Sequence, residues 1–260
     1  MKKTIVASAL LAVSATSAFA QDAAPASPHT VTGNVTLASE YIYRGIGQTN
    51  REPAIQGGFD YAHSSGFYLG TWASSISWLS DGRSDVSSSV EVDIYGGFKN
   101  TFGGGDWNYD VGVLTYNYPG SYPGDGYVKP DTTELYGAIG WKWLSFKYSH
   151  TVSSHIFGFT GSNGEKTRGS AYYELNASYD LGDGWGVLGH LGHQKIRHNG
   201  DASYTDWKLG VTKDLGVGVI GLSYIDTDAK ACGDAVPVYC NAFNKDLGKG
   251  RAHLSFTKTF

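Results

Sequence analysis

The stretch Val31-Thr32-Gly33-Asn34-Val35-Thr36-Leu37-Ala38-Ser39-Glu40-Tyr41-Ile42-Tyr43-Arg44 alternates with a period of two. Val31, Gly33, Val35, Leu37, Tyr41 and Tyr43 fall on one face, and Thr32, Asn34, Thr36, Glu40 and Arg44 on the other. Successive side chains of a strand point to opposite sides, so this is a strand with one apolar and one polar face. The same reading repeats down the chain. Ile55, Phe59 and Tyr61 oppose Gln56 and Asp60; Phe67, Leu69 and Ala73 oppose Tyr68, Trp72 and Ser74; Val90, Val92, Ile94 and Phe98 oppose Glu91, Asp93 and Tyr95. Trp107, Tyr109, Val111 and Val113 oppose Asn108, Asp110 and Tyr116, and Leu135 and Ile139 oppose Thr132, Glu134 and Tyr136. The second half continues with Leu144, Phe146 and Tyr148 against Ser145 and Lys147, and with Tyr173, Leu175, Ala177 and Tyr179 against Glu174, Asn176 and Ser178. Trp207, Leu209 and Val211 oppose Asp206, Lys208 and Thr212; Leu254, Phe256 and Phe260 oppose His253, Ser255 and Thr257. Trp185 to His193 is glycine-rich and Val217 to Ile225 is apolar throughout, so the faces of these two segments stay unassigned.

Twelve such segments predict an all-β fold, a transmembrane antiparallel up-and-down β-barrel of about twelve strands spanning residues 29–260. The connections alternate between long (near 44–53, 77–88, 119–131, 153–169, 195–202 and 227–249) and short (near 63–66, 99–106, 141–142, 180–184 and 214–216). Outer-membrane barrels have this asymmetry, with long external loops and short periplasmic turns. Lipid offers no hydrogen bonds to backbone groups, so a period-two chain crosses it only as a closed sheet. A soluble lipocalin-like barrel would invert the faces. Large charged groups on one face of many strands, the alternating loop lengths and the terminal Phe260 favour the membrane barrel.

Composition agrees. The 260 residues include 36 Gly, 18 Tyr, 11 Phe and 7 Trp, with 17% charged residues. Lys2 and Lys3, an apolar run from Ile5 to Val13 and Ser17-Ala18-Phe19-Ala20 predict a signal peptide over 1–20, followed by an Ala/Pro-rich disordered lead-in over 21–28. The rest has no apolar run of the ~18 residues that a spanning helix needs. Net charge is −4, and loss of Lys2 and Lys3 makes it −6, which argues against a nucleic-acid partner. Cys232 and Cys240, in an exported chain, predict a disulfide.

Further residues carry a family resemblance. They are Tyr43-Arg44-Gly45-Ile46 with Gln48, Pro53-Ala54-Ile55-Gln56-Gly57-Gly58-Phe59-Asp60-Tyr61 and Gly66-Phe67-Tyr68-Leu69-Gly70-Thr71-Trp72-Ala73-Ser74. Glu91-Val92-Asp93-Ile94-Tyr95-Gly96-Gly97 and Tyr116-Asn117-Tyr118-Pro119-Gly120 complete the set. The chain from Val35 to Tyr136 resembles the TorF-type porin family of proteobacterial outer-membrane β-barrels, departing from it at Ser75-Ile76. The resemblance implies a barrel and a porin role, and brings no catalytic residues. The terminal strand, Arg251 to Phe260, also resembles the sorting signal of outer-membrane barrels, with Phe260 as the terminal residue read by the barrel-assembly machinery.

No constellation predicts catalysis, a metal or a cofactor. Gly161-Ser162-Asn163-Gly164 lacks a base for its serine and reads as a turn, as does His63-Ser64-Ser65-Gly66. His190 and His193, three apart on a strand, point to opposite faces and cannot chelate one ion. Gly103-Gly104-Gly105 has no following helix to cradle a phosphate. What remains is the polar face. Its candidate lumen-lining residues are the acids Glu40, Asp60, Glu91, Asp93, Asp110, Glu134, Glu174 and Asp206 and the bases Arg44, Lys147, Lys208 and Arg251, with Lys99 near a turn. Either these charges pair to fill the barrel, or the surplus acid lines a path favouring cations. The expected function is passive diffusion of small polar solutes or ions, with outer-membrane lipid as the surrounding partner. The alternative is a non-conducting adhesin or surface-structural barrel whose loops bind.

Overall fold

A computed structural model of the chain describes residues 27–124 and 126–260. The expected signal peptide, and the lead-in apart from Ser27 and Pro28, lie outside the described residues. The strands are β1 (His29–Ala38), β2 (Ile42–Tyr43), β3 (Ile46–Gly47), β4 (Ala54–His63), β5 (Phe67–Ser75), β6 (Val90–Phe102), β7 (Trp107–Asn117), β8 (Thr132–Trp141), β9 (Leu144–Thr151), β10 (Ala171–Gly182), β11 (Trp185–Lys195), β12 (Tyr204–Asp214), β13 (Val219–Thr227) and β14 (Arg251–Thr259). All but β2 and β3 join one closed antiparallel barrel of twelve strands. Closure is made where Asn34 to Ala38 of β1 face Thr259 to Ser255 of β14. Phe260 completes the seam: its N–H donates to the Gly33 carbonyl at 2.8 Å, and Gly33 N–H donates to the Phe260 carbonyl at 3.2 Å.

The faces fall as the alternation predicts. Val31, Leu37, Ile55, Phe59, Leu69, Ile94, Val111, Leu135, Leu175, Leu209 and Leu254 all project outward and are exposed. An apolar shell of this extent is a lipid-facing surface, not that of a soluble protein. At the rim of short turns the outward aromatics touch in sequence: Phe67 on Phe98 (centroids 5.0 Å apart), Phe102 on Trp107 (5.9 Å), Trp107 on Trp141 (6.2 Å) and Trp143 on Tyr179 (6.4 Å). This is the interfacial girdle of a membrane barrel.

The two unassigned segments resolve. Trp185 and Leu191 of β11 point outward while His190 and Gln194 point inward. Ile220, Leu222 and Tyr224 of β13 face out, and Ile225 is buried inside. One expectation is corrected. The first strand ends at Ala38 rather than running to Arg44, so Tyr41 and Tyr43 do not join the lipid face, and Glu40 and Arg44 leave the wall. The chain instead turns inward into the β2–β3 hairpin, in which Tyr43 pairs with Ile46. Both central residues have left-handed backbones, Arg44 at φ 46° and Gly45 at φ 79°. That is the two-residue turn matched to strand twist.

Glycine has a specific use on the inner face. A β-carbon at Gly70 would overlap the ring of Tyr95, and one at Gly192 would overlap the hydroxyl end of Tyr172. Gly97 lies likewise under Tyr68, and Gly112 under Tyr136. Each tyrosine lies across a neighbouring strand on ground that only glycine leaves free.

Two outcomes follow. Gly70→Ala should destabilise the folded barrel by about 1–3 kcal/mol, the usual cost of overpacking, but should cost little when made in a Tyr95→Ala chain, where the ring it would meet is absent; urea unfolding in detergent micelles of the two singles and the double measures the coupling. Val113→Arg, on the lipid face, should cost about 2–4 kcal/mol, whereas Asn108→Arg on the inner face should cost less. The reverse ranking would invert the assignment of faces.

Candidate functional site

The segment 39–53, which connects β1 to β4, crosses the barrel interior. Arg44, at its tip, is the centre. Its guanidinium binds Glu134 of β8 through two contacts, Nη1–Oε1 at 3.1 Å and Nη2–Oε2 at 2.7 Å. Nη1 also donates to Oε1 of Gln194 on β11 at 2.7 Å. Its plane lies 4.2 Å from the ring centre of Tyr172 on β10 and 4.9 Å from that of Tyr43. One side chain thus joins three wall strands, β8, β10 and β11. Burial pulls the Arg44 guanidinium down, but Glu134 beside it, together with the nearby Tyr43 and Tyr116, outweighs burial and holds it above the ordinary arginine range. The left-handed backbone at Arg44 costs about 1–2 kcal/mol, which the forked, charge-assisted pair offsets.

The rest of the hairpin is fixed as firmly. Gly45 approaches Asp206 and Thr227 so closely that a β-carbon would meet both. Gly47 N–H donates to the Leu247 carbonyl at 2.9 Å. Ile46 packs into a buried cluster with Tyr204, Ala229 and Tyr239. Tyr43 hydroxyl meets Tyr116 hydroxyl at 2.5 Å, and Phe157 from the β9–β10 loop sets its ring edge-on to both, 5.6 and 5.1 Å away. Tyr239, in the β13–β14 loop, donates to the Ala202 carbonyl at 2.6 Å. The Cys232–Cys240 disulfide ties the same loop, as expected from the sequence.

The twelve sequence-predicted lumen residues separate into two tiers. In the tier toward the long loops, Glu40, Glu91, Asp93, Glu134, Glu174 and Asp206 are all buried. Glu40 leaves the wall with the hairpin segment and pairs with Arg251 at 2.7 Å. Glu91 accepts from the Tyr41 hydroxyl at 2.7 Å. Burial, with Glu91 beside it, pushes that hydroxyl well above the phenol range and keeps it a donor. Asp206 accepts from Tyr172 at 2.8 Å and meets His190 Nε2 at 2.9 Å. His190 Nδ1 lies 2.6 Å from Asn176 Oδ1, and Asn176 donates to Glu174 at 3.0 Å. Lys147 approaches Glu174 at 3.7 Å. Among the described residues, Glu91 and Asp93 have no cationic partner, and Asp93 Oδ1 has no hydrogen bond. In the tier toward the short turns, Asp60, Asp110, Lys147 and Lys208 are half-buried and reached by solvent. Asp60 accepts from Tyr95 at 2.5 Å, and Asp110 accepts from Tyr68 at 2.6 Å, with Tyr136 hydrogen-bonded to Tyr68. Lys208 stands opposite His190 in the β11–β12 ladder.

The sequence reading put most of these residues on the inner wall but missed the hairpin and the partners Gln194, Tyr172 and His190. The local signal for the hairpin is Arg44-Gly45 between Tyr43 and Ile46. The loop motifs have bland geometry. Gly164 N–H closes a turn on the Gly161 carbonyl at 2.9 Å, and the Ser162 hydroxyl donates to the His198 carbonyl. His190 points inward, while the exposed His193 meets Thr205 at 3.1 Å.

The two halves of the Arg44–Glu134 pair should be coupled. Arg44→Met strands a buried carboxylate and should cost up to about 3–5 kcal/mol in denaturant unfolding. Arg44→Met with Glu134→Gln should cost clearly less than the two single losses together; strict additivity would mean that the pair is not formed.

Comparison with known proteins adds three findings. A family model described as "Bacterial protein of unknown function (Gcw_chp)" matches residues 22–260. No curated protein matches the sequence. Among solved structures, the KdgM porin superposes with a TM-score of 0.53 at 8% identity, over 88% of this chain and 98% of that one; a second structure is of that porin in complex with disordered oligogalacturonate. The NanC porin gives 0.52 at 10% identity over 88% and 98% of the two chains. The COG4313 outer membrane channel from Pseudomonas putida F1 gives 0.51 at 13% identity over 92% and 100%. At these identities the likeness is one of fold.

Proposed function

The chain belongs to the Gcw_chp family of bacterial proteins, and from that premise we propose that it is an outer-membrane channel for passive diffusion of small polar solutes or ions, narrowed by its own inner hairpin. The observation that carries this reading is a polar, charged interior inside a closed, lipid-facing barrel of twelve strands. The porin and channel folds that it superposes on support the same reading. The TorF-type resemblance of Val35 to Tyr136 agrees with it. The terminal strand, ending in Phe260 at the seam, suits recognition by the barrel-assembly machinery. Residues 1–20 fit an export signal.

The solute class follows from charge. The inner face holds eight carboxylates against Arg44, Lys99, Lys147, Lys208 and Arg251. Arg44, Lys147 and Arg251 are engaged by Glu134, Glu174 and Glu40. The remaining carboxylates outnumber Lys99 and Lys208, and of them Asp60 and Asp110 are reached by solvent; their charge leaves the accessible interior negative, and low-dielectric walls focus that field. This favours small cations and neutral solutes over polyanions such as the oligogalacturonate bound by the KdgM porin.

The packed hairpin favours one second reading: a sealed barrel in which the charges form a polar core and the external loops do the binding.

Planar-bilayer recording separates them. The first reading expects small conductance with weak cation preference. Asp60→Asn with Asp110→Asn should reduce the reversal potential under a salt gradient, more so at low salt, where screening is weak. Absence of any conductance would leave the sealed-barrel reading, and anion preference would overturn the inference from the charge count.

A further inference from the structure

The outer wall is not uniform at its long-loop rim. Over β5–β8 the outward residues nearest that rim are Ser75, Val90, Asn117 and Thr133, all uncharged. On β9 and β11 they are basic, His150 and Lys195. In the ladder, Ala171 of β10 stands between His150 of β9 and Lys195 of β11, so the two basic groups lie at one level across three strands. Arg197 continues two residues beyond Lys195 and is exposed. Its side chain lies against Gly169, and so does the His150 ring: a β-carbon at Gly169 would stand 3.2 Å from Arg197 Nη1 and 4.0 Å from His150 Cε1. Arg197 Nη1 also donates to the Arg168 carbonyl at 3.2 Å, which sets the Arg168 backbone beside it, and the Arg168 side chain is exposed at this rim. His193 lies one step toward mid-membrane, opposite Tyr173.

Directly beneath comes an aromatic step, Tyr148 against Tyr173 with ring centres 5.1 Å apart, and the Tyr148 hydroxyl is 2.8 Å from His150 Nδ1. Aromatic rings with polar tips mark the depth at which hydrocarbon gives way to headgroups. The basic patch therefore sits at headgroup level on the lipid-facing side of the wall. The flanking carboxylates are engaged elsewhere: Glu165 by Asn163, and Asp228 by the Thr205 backbone amide. On a chain of net negative charge, four basic side chains gathered on one sector of the wall call for an anionic partner.

We propose that His150, Arg168, Lys195 and Arg197 dock the phosphorylated headgroup of an outer-leaflet lipid, whose acyl chains lie along the apolar faces of β9–β11. Forked guanidinium groups and a lysine suit phosphate oxygens, and the wall below supplies the hydrocarbon contact that a free anion cannot use. The proposal rests on the outer-membrane reading of the barrel but not on conduction.

The test is native mass spectrometry of the full chain in detergent with added lipid A, a diphosphorylated lipid. The expected result is retention of lipid A by the unsubstituted protein, with affinity at least about tenfold lower in the Arg168→Gln, Lys195→Gln, Arg197→Gln chain. A matched chain with Lys142→Gln, Lys213→Gln and Lys258→Gln, at the opposite rim, should stay within about twofold. Excess phosphatidylcholine or millimolar inorganic phosphate should not displace the lipid. Equal retention by both triple variants would overturn the proposal, as would full displacement by phosphate, which would make the patch a site for a free anion. Lys195→Gln alone, at an exposed side chain, gives the same ranking at smaller amplitude should the triple variant fold poorly. An unsubstituted chain showing no mobility difference between boiled and unboiled gels would remove the membrane-barrel reading itself, and this proposal with it.

Discussion

Within a bilayer no water is present to satisfy a backbone amide, and each unsatisfied group costs several kcal/mol. Everything else in this protein follows from that constraint. A sheet in lipid must close, and here it closes where β1 meets β14, with Gly33 and Phe260 exchanging both of their backbone hydrogen bonds at the last step. Closure orients the faces: apolar side chains go out to lipid and polar ones go in. The outward Val, Leu, Ile and Phe residues that would be a hazard on a soluble protein are then the membrane surface.

Closure also creates an interior that has to be occupied. Twelve strands enclose more space than wall side chains fill, yet less than the aqueous channel of a sixteen-stranded porin. This chain supplies the difference from its first external connection. The β2–β3 hairpin turns inward at Arg44-Gly45, and the ion pair to Glu134, the Gln194 contact and the Tyr172 ring hold its tip against far strands. Tyrosines lying over inner glycines fill much of the rest. The consequence is asymmetry along the barrel axis. The half toward the long loops buries its carboxylates, and the half toward the short turns leaves Asp60, Asp110, Lys147 and Lys208 accessible to solvent.

The wall was legible in the sequence because its signal is local. Val31 to Leu37 or Val90 to Phe98 need only their own alternation to assign faces, and the long and short connections need only spacing. The hairpin was not legible for the same reason. Tyr41 and Tyr43 continue the period-two pattern of β1, and period alone does not distinguish a strand that runs on from one that turns inside. The Arg-Gly turn signal was present, but it is weaker than the Asn-Gly or Asp-Gly pairs that usually announce such a hairpin. Nor could alternation orient β11, where Gly186, Gly189 and Gly192 carry no side chain, or β13, where Val219 and Ile225 inside are as apolar as Ile220 and Leu222 outside. The lumen contacts were further out of reach. Arg44 meets Glu134 and Gln194 across 90 and 150 residues of chain, and only the closed barrel brings them together.

A channel and a sealed barrel share this wall; they differ in how the hairpin behaves. The claim on which both rest is that residues 42–47 are held inside the lumen rather than waving as a surface loop. Amide hydrogen exchange of the reconstituted barrel tests it directly, because Gly47 N–H donates to the Leu247 carbonyl and Gln48 N–H to the Tyr41 carbonyl in a region that connectivity alone would assign to an external loop. Slow exchange of Gly47 and Gln48, approaching that of β8 and β11, is the expected result. Exchange of these amides at the rate of a free loop, while the wall strands stay protected, would contradict the account.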